Sequence, residues 1–365
     1  MTDLEPILAL ARELQSVQQD YVLATVVAVE GSSYRKPGAL MLLAPDGRRA
    51  GTISGGCLEA EVARRAFWLT KHGPVVERYS TAADDGDLSY GSGCGGAVHL
   101  LLERAATAAP LLAELEAAFT ARAPLAVATV LDGAHAGQRA FSPGSGRDTL
   151  SALAAQTFRR QHSSEQIVES DSAPARVWCE YRPARPGLHI FGAGDDALPL
   201  VAFARELGWF VSVADGRAHL ATRARFPRAH QVAVLPISAA ALTLPGILPT
   251  DAAVLITHSF EQDAHILATL LTLSAPPAYI GVLGPQRRTR EVLAESARLR
   301  GLAPSGDRVE RELARLNAPT GLDLGASTPA AIALSIIAEV QQTLTDSTAK
   351  PLHKLRAAHE AASHH

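Results

Sequence analysis

At 365 residues the chain is long enough for two domains of ordinary size. Hydrophobic residues make up 47% and charged residues 19%, enough for sizeable cores, which excludes a globally disordered chain. The net charge of −3 excludes the basic footprint of a nucleic-acid binder, and no long uncharged apolar run is fit to span a bilayer. Residues 1–5 lack the basic and apolar blocks of a signal peptide. Three cysteines, an odd number in a large chain, fit a reduced cytoplasmic protein better than a disulfide framework.

Apolar residues at helical spacing predict a first helix over 4–15, and the β-branched run 21–29 predicts a buried strand. The loop Glu30-Gly31-Ser32-Ser33-Tyr34-Arg35-Lys36-Pro37-Gly38 follows, rich in glycine, serine and cations. A strand over 39–43, a hairpin turn at Asp46-Gly47 and a strand ending near Ile53 lead into Ser54-Gly55-Gly56-Cys57-Leu58-Glu59. Residues 60–67 then read as a helix.

Two consecutive glycines let a ligand or another backbone come close. The helix that follows begins with unpaired N–H groups and a partial positive charge, so the turn suits an anion. In that field Cys57 would lose its proton more readily than in water, although a tight connection with a buried, inert cysteine fits the turn equally. Arg35 and Lys36 could complete an anion pocket with this turn, or simply be surface cations in a solvated loop.

After a strand over 75–79 and a polar run, Gly91-Ser92-Gly93-Cys94-Gly95-Gly96 sets a second cysteine among glycines, and a strand over 97–103 follows. Two cysteines in two glycine-rich turns are more specific than either alone. The spacing is not that of a zinc site, since no C-x-x-C accompanies it. A helix over 111–121 and a strand over 125–131 precede a stretch, about 141–175, whose low apolar density predicts loose order. The alternating run 175–181 is a last strand, in which Cys179 is a packed residue. Arg182-Pro183-Ala184-Arg185-Pro186-Gly187 reads as a linker.

The second half alternates strands near 188–191, 210–214, 232–235, 252–257 and 279–283 with helices, which predicts a doubly wound parallel sheet. Gly192-Ala193-Gly194-Asp195-Asp196-Ala197 is a G-x-G-x-x-A turn, and Asp215 stands where a ribose-binding carboxylate is expected. Asp195 and Asp196 would cap the helix but repel a dinucleotide. His258 lies at a strand's carboxyl end, suited to a ligand or to a helix cap. Arg287 and Arg288 would reach the same edge, as phosphate ligands or as a solvated helix start.

The chain resembles the XdhC/CoxI family, accessory proteins of xanthine dehydrogenase and related molybdenum hydroxylases. The resemblance rests on residues 31–38, Gly55-Gly56-Cys57-Leu58-Glu59 and Gly93-Cys94-Gly95-Gly96 in the first half. In the second it rests on Gly192-Ala193-Gly194, Asp215-Gly216-Arg217, Thr257-His258, Tyr279-Ile280-Gly281 and Gly321-Leu322-Asp323-Leu324-Gly325-Ala326. Asn317 departs from the family's usual histidine before Ala318-Pro319, and Gln286-Arg287 from its common Ser-Arg.

The resemblance implies an α/β protein: a mixed α/β XdhC/CoxI-type domain over 1–182, a Rossmann-like domain over 187–345 and a polar tail over 346–365. It implies a cytoplasmic carrier that binds the molybdenum cofactor, as plain pterin or dinucleotide, and delivers its sulfurated form to an apo molybdenum hydroxylase. A cysteine desulfurase is the expected second partner and a homodimer is plausible, with no nucleic acid and no membrane. On this reading the chain is a cofactor-insertion chaperone rather than a turnover enzyme. The expected cofactor-binding residues are Arg35, Lys36, Gly38, Ser54, Gly55, Gly56, Cys57, Cys94, Gly95, Gly192, Gly194, Asp215 and His258, with Cys57 and Cys94 as metal ligands. Two rivals stand beside it: an NAD(P)-dependent oxidoreductase using the G-x-G-x-x-A turn, and a structural adaptor joining hydroxylase to desulfurase without holding the cofactor.

Overall fold

A computed structural model describes residues 3–31, 33–56, 58–80, 96–169, 174–236 and 246–355. The chain divides into two compact units, Met1–Arg185 and Pro186–His365.

The first unit begins with α1 (Leu4–Ser16), β1 (Val22–Glu30), β2 (Leu40–Leu43), β3 (Arg49–Gly51) and α2 (Glu59–Leu69). It continues through β4 (Val75–Ser80), β5 (Ala97–Arg104) and α3 (Ala105–Ala121). Its first sheet has the order β3-β2-β1-β5-β4, every neighbour antiparallel. Tyr21 and Leu23 pack with α1 and α3 on one face, while Val22, Ala24 and Val26 pack with α2 on the other. Burial on both faces explains why β1 reads as an unbroken apolar run rather than an alternating one.

Antiparallel pairing across β2 and across β5 makes β1, β3 and β4 run the same way. The loop after β1, the turn after β3 and the segment after β4 therefore leave one end of the sheet. At that end Glu30 pairs with Ala97 in register, and Ser80 does so from the other side.

A second antiparallel sheet, β7-β6-β9-β8, comprises β6 (Leu125–Val130), β7 (Arg139–Ser142), β8 (Ser164–Val168) and β9 (Ala175–Arg182). Helix α4 (Thr149–Arg160) covers it. Order thus extends through much of 141–175, where the sequence predicts little. Few of these residues are buried: in α4 only Ala154 and Thr157, and β8 is a half-exposed edge strand. Asp148 caps α4 by accepting from Ser151 N at 2.8 Å, a start signal that apolar density does not register.

The second unit runs β10 (Gly187–Phe191), α5 (Ala197–Glu206), β11 (Phe210–Asp215), β12 (Gln231–Val234), β13 (Ala252–Leu255) and α6 (Phe260–Thr272). It ends with β14 (Tyr279–Val282), α7 (Gln286–Leu299), α8 (Asp307–Leu313) and α9 (Pro329–Thr345). The sheet is parallel, ordered β12-β11-β10-β13-β14, with α5 and α9 on one face and α6 and α7 on the other. The order reverses between β10 and β13, the switch point at which such sheets place ligands. Asn317 continues the β14 edge through its backbone, donating to Ile280 O at 2.9 Å and accepting from Val282 N at 3.0 Å. No helix among the described residues is long and apolar enough to cross a membrane.

The Thr320–Gly321 turn is tied to this edge by one partly buried network. Tyr279 Oη donates to Glu339 Oε2 at 2.6 Å and meets the Thr320 hydroxyl, while Gly321 N donates to the same Glu339 oxygen at 2.7 Å. Burial, with Glu339 beside it, pushes the Tyr279 phenol far above its ordinary value, so it remains a donor at any working pH. Tyr279→Phe should leave Glu339 and Thr320 short of a partner and cost about 1–3 kcal/mol, read by urea unfolding. A variant as stable as the parent would contradict this role.

Candidate functional site

The loop after β1 and the turn after β3 meet at the sheet end, in the first unit. Arg35 Nη2 donates to Asp3 Oδ2 at 2.7 Å and also to the Thr52 hydroxyl, so the cation loop is fastened to the chain entering the turn. Gly38 has φ +95°, and its N–H donates to Val26 O at 2.8 Å. Its carbonyl accepts from Arg182 at 2.8 Å, and a side chain there would run into the Glu180 carboxylate. Lys36 is exposed. Beside them Glu30 is held down to about 2 by Arg78 and then by His99, at 2.9 and 2.7 Å.

The turn itself is shaped by a residue that sequence reasoning passes over. Glu59, fully buried at the start of α2, accepts from Ile53 N at 3.2 Å, Ser54 N at 2.9 Å and the Ser54 hydroxyl at 2.5 Å. Ser54 Oγ in turn accepts from Gly56 N at 3.0 Å and Leu58 N at 3.2 Å. Four of the turn's N–H groups are therefore used internally, by the chain's own carboxylate and hydroxyl. Burial works to raise the Glu59 carboxyl, but Ser54 and the backbone donors outweigh it and hold it below the usual range. The signal available in the sequence is an acid in the first helical turn, five residues after a serine.

Capacity for an external anion stays with Arg35. Its Nε is buried with no acceptor among the described residues, an unmet donor on a charged group. Gly56, at φ +114°, has no atom of the described residues within 4 Å of where a side chain would start, so no described group crowds that side of the turn. These two features fit a phosphorylated ligand. Cys57, Cys94 and Gly95, expected to bind cofactor or metal, lie outside the described residues. Among the described residues no group of three or more His, Cys, Asp or Glu could hold a metal. Cys179 is buried in β9, and burial pushes its thiol up, which suits a packed strand residue.

In the second unit Gly192 has φ +129° and passes so close to β13 that a side chain would strike the Ile256 carbonyl. Gly194 has no described atom within 4 Å of where a side chain would begin. Asp215, fully buried, accepts from Ala193 N at 2.6 Å and from Arg217 through its backbone N–H, Nε and Nη2 at 2.7–3.0 Å. The acid placed for a ribose thus holds the glycine turn and its own downstream loop. Burial acts to raise it, but Arg217 and Ala193 outweigh that and keep it ionised.

Neither acid at the start of α5 acts there as a cap. The Asp196 side chain makes no capping bond and lies 3.5 Å from His258 Nε2, while Asp195 pairs with Arg225. His258 adopts φ +61° and is 60% exposed, and the cap of α6 is Ser259, which accepts from Gln262 N. Arg288 is drawn to the buried Asp263 at 2.8 Å, which also accepts from Thr257 Oγ1 at 2.6 Å. Arg287 is 90% exposed.

Because the folded Glu59 carboxyl is depressed, its stabilisation is present above the unfolded value of about 4.3 and lost as pH falls through the folded value. Glu59→Gln should therefore cost about 1.5–3 kcal/mol near neutral pH, with the difference from the parent closing toward about pH 3. Urea unfolding at the two pH values reads this, and an equal difference at both would contradict it.

Residues 14–80 match the "XdhC and CoxI family", and residues 188–340 match the "XdhC Rossmann domain". The chain is 31% identical over 339 residues to a probable xanthine dehydrogenase subunit of Bacillus subtilis (strain 168), covering 89% of this chain and 94% of that protein. It is 27% identical over 351 residues to the "Molybdenum cofactor insertion chaperone PaoD" of Escherichia coli (strain K12), covering 93% and 88%. A crystal structure titled as a xanthine dehydrogenase from Bacillus halodurans aligns with TM-score 0.72 at 30% identity, covering 97% of this chain and all of that one. The chain belongs to the XdhC and CoxI family.

Proposed function

We propose that this protein is a molybdenum cofactor-binding accessory protein that protects the cofactor and delivers its sulfurated form to a xanthine dehydrogenase-type hydroxylase. The observation that carries the reading is topological. The Arg35 loop, the Gly55-Gly56 turn and the ends Ser80 and Gly96, which flank the segment bearing Cys94, all belong to one end of one sheet. Relatives of nearly equal length are named for xanthine dehydrogenase and for cofactor insertion, which supports the same class of task.

In this reading Arg35 and Lys36 neutralise the cofactor's phosphate, and Ser54 and Glu59 keep the turn open for it. Gly55 and Gly56 let the backbone approach, while the Gly38 turn anchors the loop to Glu180 and Arg182. Cys57 and Cys94 supply thiolates, as metal ligands or as carriers of sulfur, a thiolate taking the outer sulfur of a desulfurase persulfide and releasing the desulfurase thiolate. The cofactor, when bound, supplies a dithiolene-held molybdenum with an exchangeable oxo or sulfido ligand. A cysteine desulfurase is the source of that sulfur, and a homodimer is a compatible assembly. Gly192, Gly194, Asp215 and His258 are assigned to a secondary contact in the second unit, Asp215 acting through the turn that it holds.

Cys57→Ala and Cys94→Ala, purified without oxygen beside the parent, test the thiolate role by molybdenum content per chain. At least one variant should lose most of its metal. Parental molybdenum in both would overturn the assignment.

A further inference from the structure

Tyr34 is 78% exposed, more than any other large apolar side chain among the described residues. An aromatic ring left in water contributes little to folding. Nor does it hang from a loose loop: Ser33 Oγ donates to Arg35 O at 2.9 Å, Arg35 is tied to Asp3 and Thr52, and Gly38 is tied to Val26 and Arg182. The ring is braced outward.

Its surroundings are specific. The Tyr34 Cγ lies 3.8 Å from where a side chain of Gly55 would begin, so the ring stands beside the open glycine turn. The Arg35 guanidinium carbon is 6.0 Å from the ring centroid, close enough to favour the aromatic face, and its Nε has no acceptor among the described residues. A flat apolar face, a pair of glycines and a cation with an N–H unmatched among the described residues thus converge. Together they match a planar heteroaromatic ring that carries an anionic group.

We propose that Tyr34 is a stacking platform, receiving such a ring on its exposed face beside the Gly55–Gly56 turn while Arg35 takes the anion. The proposal rests on the cofactor-carrier reading and adds to it a residue that recognises the heterocycle. In a pterin dinucleotide the ring could be the pterin or the nucleotide base, and both present the same chemistry to Tyr34.

The full-length chain would be titrated with pterin-6-carboxylate and, separately, with GMP, comparing the parent with Tyr34→Phe and Tyr34→Ala. Because the side chain is exposed, both variants should melt with the parent. Tyr34→Phe should bind within about twofold of the parent, and Tyr34→Ala roughly tenfold more weakly, as for loss of one stacked ring. The parent should also quench pterin fluorescence more than Tyr34→Ala does.

Equal affinity of Tyr34→Ala and the parent for both probes would overturn the platform, as would no binding of either probe by the parent. Pterin retained by the purified parent and equally by Tyr34→Ala would sink the platform and leave the carrier reading standing. Tyr34-dependent binding of GMP alone, with no pterin in the purified parent, would support the platform and remove the pterin-carrier reading.

Discussion

A carboxylate removed from water must be matched by donors, and in this protein that requirement fixes the turns its family motifs are built on. Glu59 gathers the N–H groups of Ile53 and Ser54, Asp215 those of Ala193 and Arg217, and Glu339 that of Gly321. Asp251 does the same at the opposite end of the parallel sheet, accepting from Gly187 N, Leu248 N and His189. Glu59 is local to its turn, whereas Asp215 and Glu339 reach the Ala193 and Gly321 turns across 22 and 18 residues. Those two turns are therefore consequences of tertiary structure, set before any ligand binds.

This arrangement separates shaping a turn from charging it. At the end of the first sheet, Glu59 and Ser54 consume N–H groups of the turn that could otherwise face an anion, and the positive charge comes from the Arg35 loop instead. The glycines then matter for access: no described atom crowds Gly56, and Gly55 keeps the turn bare where the Tyr34 ring packs beside it. In the parallel sheet the same economy closes the G-x-G-x-x-A turn on itself. The Asp215 lone pairs that a ribose would need are filled by Arg217 and Ala193, so a dinucleotide would have to displace the partners of a buried carboxylate.

The second half was legible because β10 to β14 are short apolar runs between helical patterns, and doubly wound sheets leave few alternatives. The meeting of the two loops in the first half was legible only as a possibility, since it depends on β1 and β3 running the same way, which pairing decides. Asp215 was found by its spacing, but spacing could not tell a ribose ligand from an anchor. Arg217, two residues on, was the clue, and its meaning is clear only where both side chains are placed. Glu59 was missed because an acid at a helix start looks like ordinary dipole compensation. Helix α4 and β8 were missed because apolar density measures burial, and these edge elements bury little.

Anaerobic purification of the unmodified chain, followed by assay of molybdenum and oxidised-pterin fluorescence per chain, tests the carrier reading most directly. The account predicts near-stoichiometric pterin and metal. A chain free of pterin whose melting temperature rises with NAD(P) would contradict it and assign the protein's chemistry to the parallel sheet.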